Sequence, residues 1–306
     1  KDTSLAEAPE SLLVTKSPRS LAVEQFYEGW RGEGRIPWGH WLRPMARWLI
    51  FLVSFHVGVI FLCALLRRQW VDVERLQFPL ARVPLEFTEG SADGGWLPRI
   101  FAHRAFVIGL VGGAAFRLLR ALPVFMGGAR PWAISIPLRQ TLVGTPLENM
   151  WFADFELWWT PIAFAYLVPA DVSLSIWFFY LFGRFELLTC YWIGSPLGRG
   201  TWSPLMRWQQ AGAYIVFTLG MLYMARRHLA AVAKKAFGRG AGVDDRGEPV
   251  GYGLSFWGFV VCSLVAVGWF VAYDMKAWVA LSLVLLLLCV HVVHARMVCQ
   301  SGLYTT

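Results

Sequence analysis

Ionisable and hydroxyl side chains set inside a long apolar stretch are the residues of this sequence best placed to do chemistry. The stretch "WFADFELWWTPIAFAYLVPADVSLSIWFFYLFGRFELLTCYWIG", residues 151–194, places Pro169, Asp171 and Ser173 between two apolar runs and Arg184 and Glu186 within the second. Proline removes a backbone donor and clashes with the preceding turn, so a helix arriving from Trp158 is expected to kink or stop at Pro169, the structural break. Asp171 or Ser173 can then cap the next helix, which carries Trp177 and Phe178, and the partial positive charge at its start favours an ionised Asp171. Irregular backbone at membrane depth survives only against protein or a water-filled cavity, and discontinuous helices build solute sites in several membrane folds. Arg184 and Glu186, two positions apart, point to different faces, so each needs its own partner or snorkels to an interface. Asp171, Ser173, Arg184 and Glu186 are therefore the candidate ligands for a polar solute or ion, with Asp171 expected to face other helices.

Other reactive residues point to no further chemistry. His291 and His294 lie at i and i+3 with Cys289 close by, and His56 is another histidine deep in a clear span. A metal site would need more ligands, so the pair is expected to be hydrogen-bonded or solvated. No Ser, Cys or His triad and no paired-carboxylate motif has supporting spacing, which predicts no catalytic residue, no metal, no cofactor and no enzyme. Cys63, Cys190, Cys262, Cys289 and Cys299 lie in or beside apolar runs and read as small core residues. The "GRGAGV" glycines follow no strand and precede no P-loop lysine.

Around these residues, 57% of the 306 are hydrophobic and only 16% charged, the composition of a polytopic membrane protein. The net charge of +8 is accounted for by basic cytoplasmic loops facing anionic lipid, and no nucleic-acid partner is implied. Runs long enough for a bilayer are Arg47 to Leu66, His103 to Pro123, the interrupted stretch above, Met206 to Arg227, Tyr252 to Tyr273 and Ala277 to about Val293. The second holds a GxxxG pair, Gly109 and Gly113, suited to close packing; Arg117 and Arg120 near its end can snorkel. Trp151, Phe155, Trp158 and Trp159 recur at helical spacing and read as an interfacial segment, and the Gly- and Pro-rich stretch between Phe125 and Met150 as a loop. The expected fold is an all-α, polytopic transmembrane bundle of five to seven membrane segments, one broken near Pro169–Ser173. Residues 1–34 read as a polar tail on the protein surface or in solution. Residues 35–306 form a single transmembrane domain, with a basic, mobile, cytoplasmic loop at about 226–251. Arg67-Arg68 share a side with that loop if the broken stretch crosses twice or re-enters without crossing; a single kinked helix would place them opposite.

The segment after Arg67-Arg68, "RRQWVDVERLQFPLARVPLE", is expected to be extended around Pro79 and Pro84 and to brace the bundle, the alternative being a substrate-contacting loop, with Asp72, Glu74 and Arg75 pairing locally. At this segment, at "VPADVSLSIWFFYLFGRFEL" and more weakly at "HARMVCQSGL", the sequence resembles a large family of bacterial polytopic membrane proteins distantly similar to oligopeptide transporters. In the third block Val298, Cys299 and Gln300 stand where an acidic or alanine-rich turn is expected. The resemblance covers roughly Gly34 to Gly302. It implies a transporter-like helical fold in a bacterial inner membrane, with a small polar solute, peptide, metal chelate or coupling ion as ligand. Members are usually longer, so the chain reads as a fragment or cut-down relative. The alternative is a non-catalytic structural or assembly subunit, partnered by the lipid bilayer and by other membrane subunits or further copies of itself.

Overall fold

Among the described residues, six helices are long and apolar enough to cross a bilayer. The computed structural model describes residues 9–17, 20–29, 38–88, 98–128, 135–150, 154–156, 162–163, 165–198, 203–239, 244–245 and 247–302. The helices are α1 (Leu21–Glu28), α2 (Trp38–Arg68), α3 (Pro79–Thr88), α4 (Arg104–Phe125), α5 (Leu138–Thr141), α6 (Ala170–Trp192), α7 (Pro204–Ala236), α8 (Tyr252–Ala272) and α9 (Ala277–Ser301). The six candidate spans are α2, α4, α6, α7, α8 and α9. The protein is an all-α, multi-pass integral membrane protein. Its contacts group into two compact units, residues 1–75 with 218–292 and residues 76–217 with 293–306, the divisions falling within α7 and α9.

In the first unit, α2 and α8 pack side by side. Lipid tails are as apolar as leucine, so close approach and van der Waals contact, not escape from water, hold such helices together. Glycines supply that approach: a Cβ on Gly58 would stand 3.1 Å from the Cys262 Cβ, and one on Gly258 would overlap the Phe61 ring at 2.5 Å. Phe51, Phe55, Ala266, Trp269, Val284 and Leu288 form the adjoining core. The Trp269 indole N–H donates to the Arg47 carbonyl at 2.9 Å, while Trp48 donates to the Leu12 carbonyl at 3.2 Å and the Arg47 guanidinium to that of Ser11. Residues around the 3-10 turn Glu10–Leu12 thus lie on α2.

The basic loop differs from its expectation. Helix α7 does not end at Arg226-Arg227 but runs on to Ala236, burying Val232 with Leu65 and Tyr252. Lys235 pairs with Asp245 at 2.6 Å and Arg67 with Glu248 at 2.9 Å. Four apolar positions, Leu229, Ala230, Ala231 and Val232, carry the helical pattern past the arginines, and the ion pairs pin the described part of a loop whose glycines suggest mobility.

In the second unit, the segment expected to be extended is the helix α3. Pro79 occupies its first position, where no backbone donor is needed and the ring's φ suits a helix, so only Pro84 costs an internal bond. The Phe78 N–H donates to the Cys299 carbonyl at 2.9 Å. Pro79 is buried, and α9 ends on Gly302 at a φ of +67°, where a Cβ would come within 2.9 Å of the Pro79 ring. Ser203 caps α7, its Oγ accepting the Met206 N–H at 3.3 Å, with Pro204 at the first helical position. Phe155–Glu156 pairs antiparallel with Ser135–Ile136, in place of the helical turn the aromatic spacing predicts; Trp151, Trp158 and Trp159 lie outside the described residues. No residue of α4 is buried, so Gly109 and Gly113 meet no neighbour.

Candidate functional site

Proline 169 is the break. Residues 162–163 and 165 are helical, residues 166–168 turn, and α6 starts at Ala170 with Pro169 extended at φ −54° and ψ 141°. No side chain caps that start, which corrects the expectation for Asp171 and Ser173. Pro169 itself fills the capping position, and its carbonyl accepts the Ser173 N–H at 3.0 Å. Asp171 falls one residue inside the helix, in the first turn.

Asp171 lines a cavity of about 490 Å³ together with Ser175 and Phe179 of α6, Phe217 of α7, and Met297, Gln300 and Ser301 of α9. Its size lies within the range of small-molecule sites. Ser175 is one helical turn beyond Asp171, on the same face. The Ser175 Oγ donates to the Asp171 carbonyl at 2.7 Å, and the Ser301 Oγ to the Met297 carbonyl at 2.8 Å. Each hydroxyl proton is thereby used on backbone, leaving oxygen lone pairs as acceptors. Among the described residues, no lysine or arginine lines the cavity. A carboxylate, two hydroxyl oxygens and an amide make a cavity that complements a cation.

A second cavity of about 320 Å³ shares Phe217 and Met297 with the first and adds Gln210, Ala213, Tyr214 and Val293. The Gln210 amide donates to the Tyr214 hydroxyl at 3.4 Å, and that hydroxyl shares a hydrogen bond with His294 Nε2 at 3.1 Å. His291 Nδ1 bonds the Leu287 carbonyl at 2.8 Å. Both histidines thus have hydrogen-bond partners.

The remaining candidates are not brought to Asp171. Ser173 is exposed and outside the cavity lining. Arg184 and Glu186 lie 13 and 15 residues further along α6, about 20 Å at 1.5 Å per residue. As their spacing requires, each has its own partner. Both oxygens of Glu186 accept from the Gln209 amide at 2.9 Å, while Arg184 stands 4.8 Å from the Tyr180 ring centre with a long 3.5 Å contact to the Met150 carbonyl. Phe217, Met297, Gln300 and Ser301 are the site residues that local sequence spacing misses. Ser175, at i+4 from Asp171, was within its reach.

Comparison with curated proteins and with solved structures finds no match. Residues 2–306 match a family described as a family of unknown function, DUF6785, and the chain belongs to that family.

Proposed function

We propose that this membrane protein binds a small polar solute through a protonated amine at the Asp171 cavity, as a transporter-like protein of a bacterial inner membrane. The observation that carries the reading is a cavity that holds a carboxylate and two hydroxyl acceptors with no lysine or arginine among its described lining residues, at the helix break that opens a candidate span. A protonated amine calls for a fixed counter-charge, and the Asp171 carboxylate supplies one at a helix start. Short peptides are the solute class to which the resemblance at Val168–Leu187 points; their free N-terminus is the group the carboxylate would hold. A coupling cation shares that chemistry.

Thermal stabilisation of the purified chain distinguishes these ligands. A dipeptide such as Ala-Ala is expected to raise Tm, its N-acetylated form is not, and sodium chloride is not beyond the effect of potassium chloride. Stabilisation by sodium alone would assign the site to a coupling ion, and no response to any of them would remove the reading.

Helix α4 favours a second role, that of a structural or assembly subunit. A candidate span with no fully buried residue leaves most of its surface for lipid or for another chain. Stoichiometric co-purification of a further membrane subunit, lost on Gly113→Leu, would support it.

A further inference from the structure

The short helix α1 of the first unit has the sequence LAVEQFYE. At about 100° per residue, Ala22, Val23, Phe26 and Tyr27 fall in one arc about 140° wide, and Glu24, Gln25 and Glu28 fall outside it. An apolar arc of that width set against an acidic one is the pattern of a helix lying along a boundary between two media. Ala22, at one edge of the arc, is buried, whereas Phe26 and Tyr27 are 65% and 80% exposed. The protein thus covers only part of the apolar arc, and two aromatic rings are left outside it.

Their neighbours continue that apolar surface. The Phe26 ring lies 5.2 Å from the ring of Trp41 in α2. Around it Trp38, Leu42, Met45 and Leu49 are exposed at intervals of four, three and four residues, one face of α2 that leads from α1 into the candidate span. Arg47 and Trp48 of the same helix hold the carbonyls of Ser11 and Leu12, which fastens the segment that leads into α1 at this level. Trp41 stands 26 residues before Arg67, about 39 Å along α2 at 1.5 Å per residue. A bilayer with its headgroups measures about 40–45 Å, so with Arg67 in one headgroup layer Trp41 and the Phe26 ring beside it reach the other. Tryptophan and tyrosine favour that layer, where the ring meets hydrocarbon and the N–H or O–H meets water.

We propose that α1 is an interfacial helix, lying in the plane of the membrane surface at the end of α2 remote from Arg67, with Phe26 and Tyr27 among lipid headgroups and upper acyl chains and Glu28 in water. Its partner is the bilayer surface. The carboxylates of its outer face give anionic lipid no advantage, so a zwitterionic lipid suffices. The helix anchors the start of α2 at a fixed depth, a role independent of the Asp171 cavity.

Spin labels on Phe26→Cys, Tyr27→Cys and Glu28→Cys, each in the full chain with its native cysteines removed and reconstituted into phosphatidylcholine vesicles, test the proposal. Their collisions with oxygen, which concentrates in lipid, are compared with those of a water-soluble nickel chelate. Oxygen collisions are expected to exceed nickel collisions at positions 26 and 27 and to fall below them at position 28. Nickel excess at 26 or 27 would place α1 in water. Exclusion of both reagents at either position would place it under another protein surface, and oxygen excess at 28 would sink it beneath the interface. Each of these results overturns the proposal. Tyr27 and Glu28 are exposed, so their labels suffice if the Phe26 variant fails to fold.

Discussion

The guanidinium of Arg67 donates to the carboxylate of Glu248 at 2.9 Å, joining residues 181 apart in sequence. The end of α2 and the loop before α8 therefore meet at one end of the first unit. The Glu248 carboxylate is only 6% exposed and also accepts from the Tyr252 hydroxyl at 3.2 Å. Glu248→Ala is expected to lower stability by about 1–2 kcal/mol, the lower part of the range for a charged hydrogen bond because Arg67 is half-exposed and screened. Thermal unfolding in detergent measures it. Asp72→Ala should leave Tm nearly unchanged, since its exposed carboxylate is 3.7 Å from Arg68.

That same contact constrains the path through the membrane. If α7 crosses once and ends beside Arg67, the chain from Arg68 to Ser203 must cross an odd number of times. One crossing by α4 leaves residues 129–203 to return to the face on which they start, so the broken stretch must re-enter or cross twice. Single cysteines replacing Gly127 and Ser195 are expected to react with an impermeant thiol reagent from the same side, opposite to one replacing Gly247, in a background with the native cysteines removed. The positive-inside rule leads to the expectation that Gly247 reacts from the cytoplasmic side. Labelling of positions 127 and 195 from opposite sides would exclude this path.

Helix α2 and helix α8 should not tolerate bulk at their crossing. The Phe61 ring lies where a side chain on Gly258 would begin, at 2.5–2.8 Å. Gly258→Val is expected to cost about 1–3 kcal/mol through overpacking, whereas Gly253→Val, with open space around it, should cost less. Paired Tm measurements decide between them.

Protonation should release the loop at Asp245. Its hydrogen bond to Lys235, joined by the Tyr252 backbone N–H, holds the Asp245 carboxyl below its ordinary value. A depressed folded-state value means the stabilisation is complete above the unfolded pKa and is lost as pH falls through the folded one. Protection of the Tyr252 amide, corrected for intrinsic exchange, is therefore expected to persist down to about pH 4 and to fall only below it. In Asp245→Asn that pH dependence should vanish. Loss of protection near neutrality would contradict the assignment.

The membrane helices were legible because each carries its own signal, a run of apolar residues long enough for a bilayer. Their ends were less so. Arg226-Arg227 looks like a terminus, yet the apolar positions after it keep α7 helical to Ala236. Pro79 and Pro84 suggest extended chain, yet a proline at the first helical position and docking onto Gly302 favour α3. The break at Pro169 and the separate partners of Arg184 and Glu186 followed from local stereochemistry. The cavity around Asp171 did not, because Phe217, Gln300 and Ser301 lie on other helices, and which helices meet is not written in the spacing of any one of them.

The most direct test of the proposed role is equilibrium binding of radiolabelled Ala-Ala to the purified chain and to Asp171→Asn. The amide keeps the shape of the carboxylate and removes its charge, so the fold should survive. Binding is expected to weaken about tenfold or more, the loss of a charge-assisted hydrogen bond at a site with one acidic group. Ser173→Ala and Glu186→Gln, which lie away from the cavity, should bind as the unaltered chain does. Binding of Ala-Ala that is unchanged in a folded Asp171→Asn chain would contradict the assignment of this cavity as the solute site.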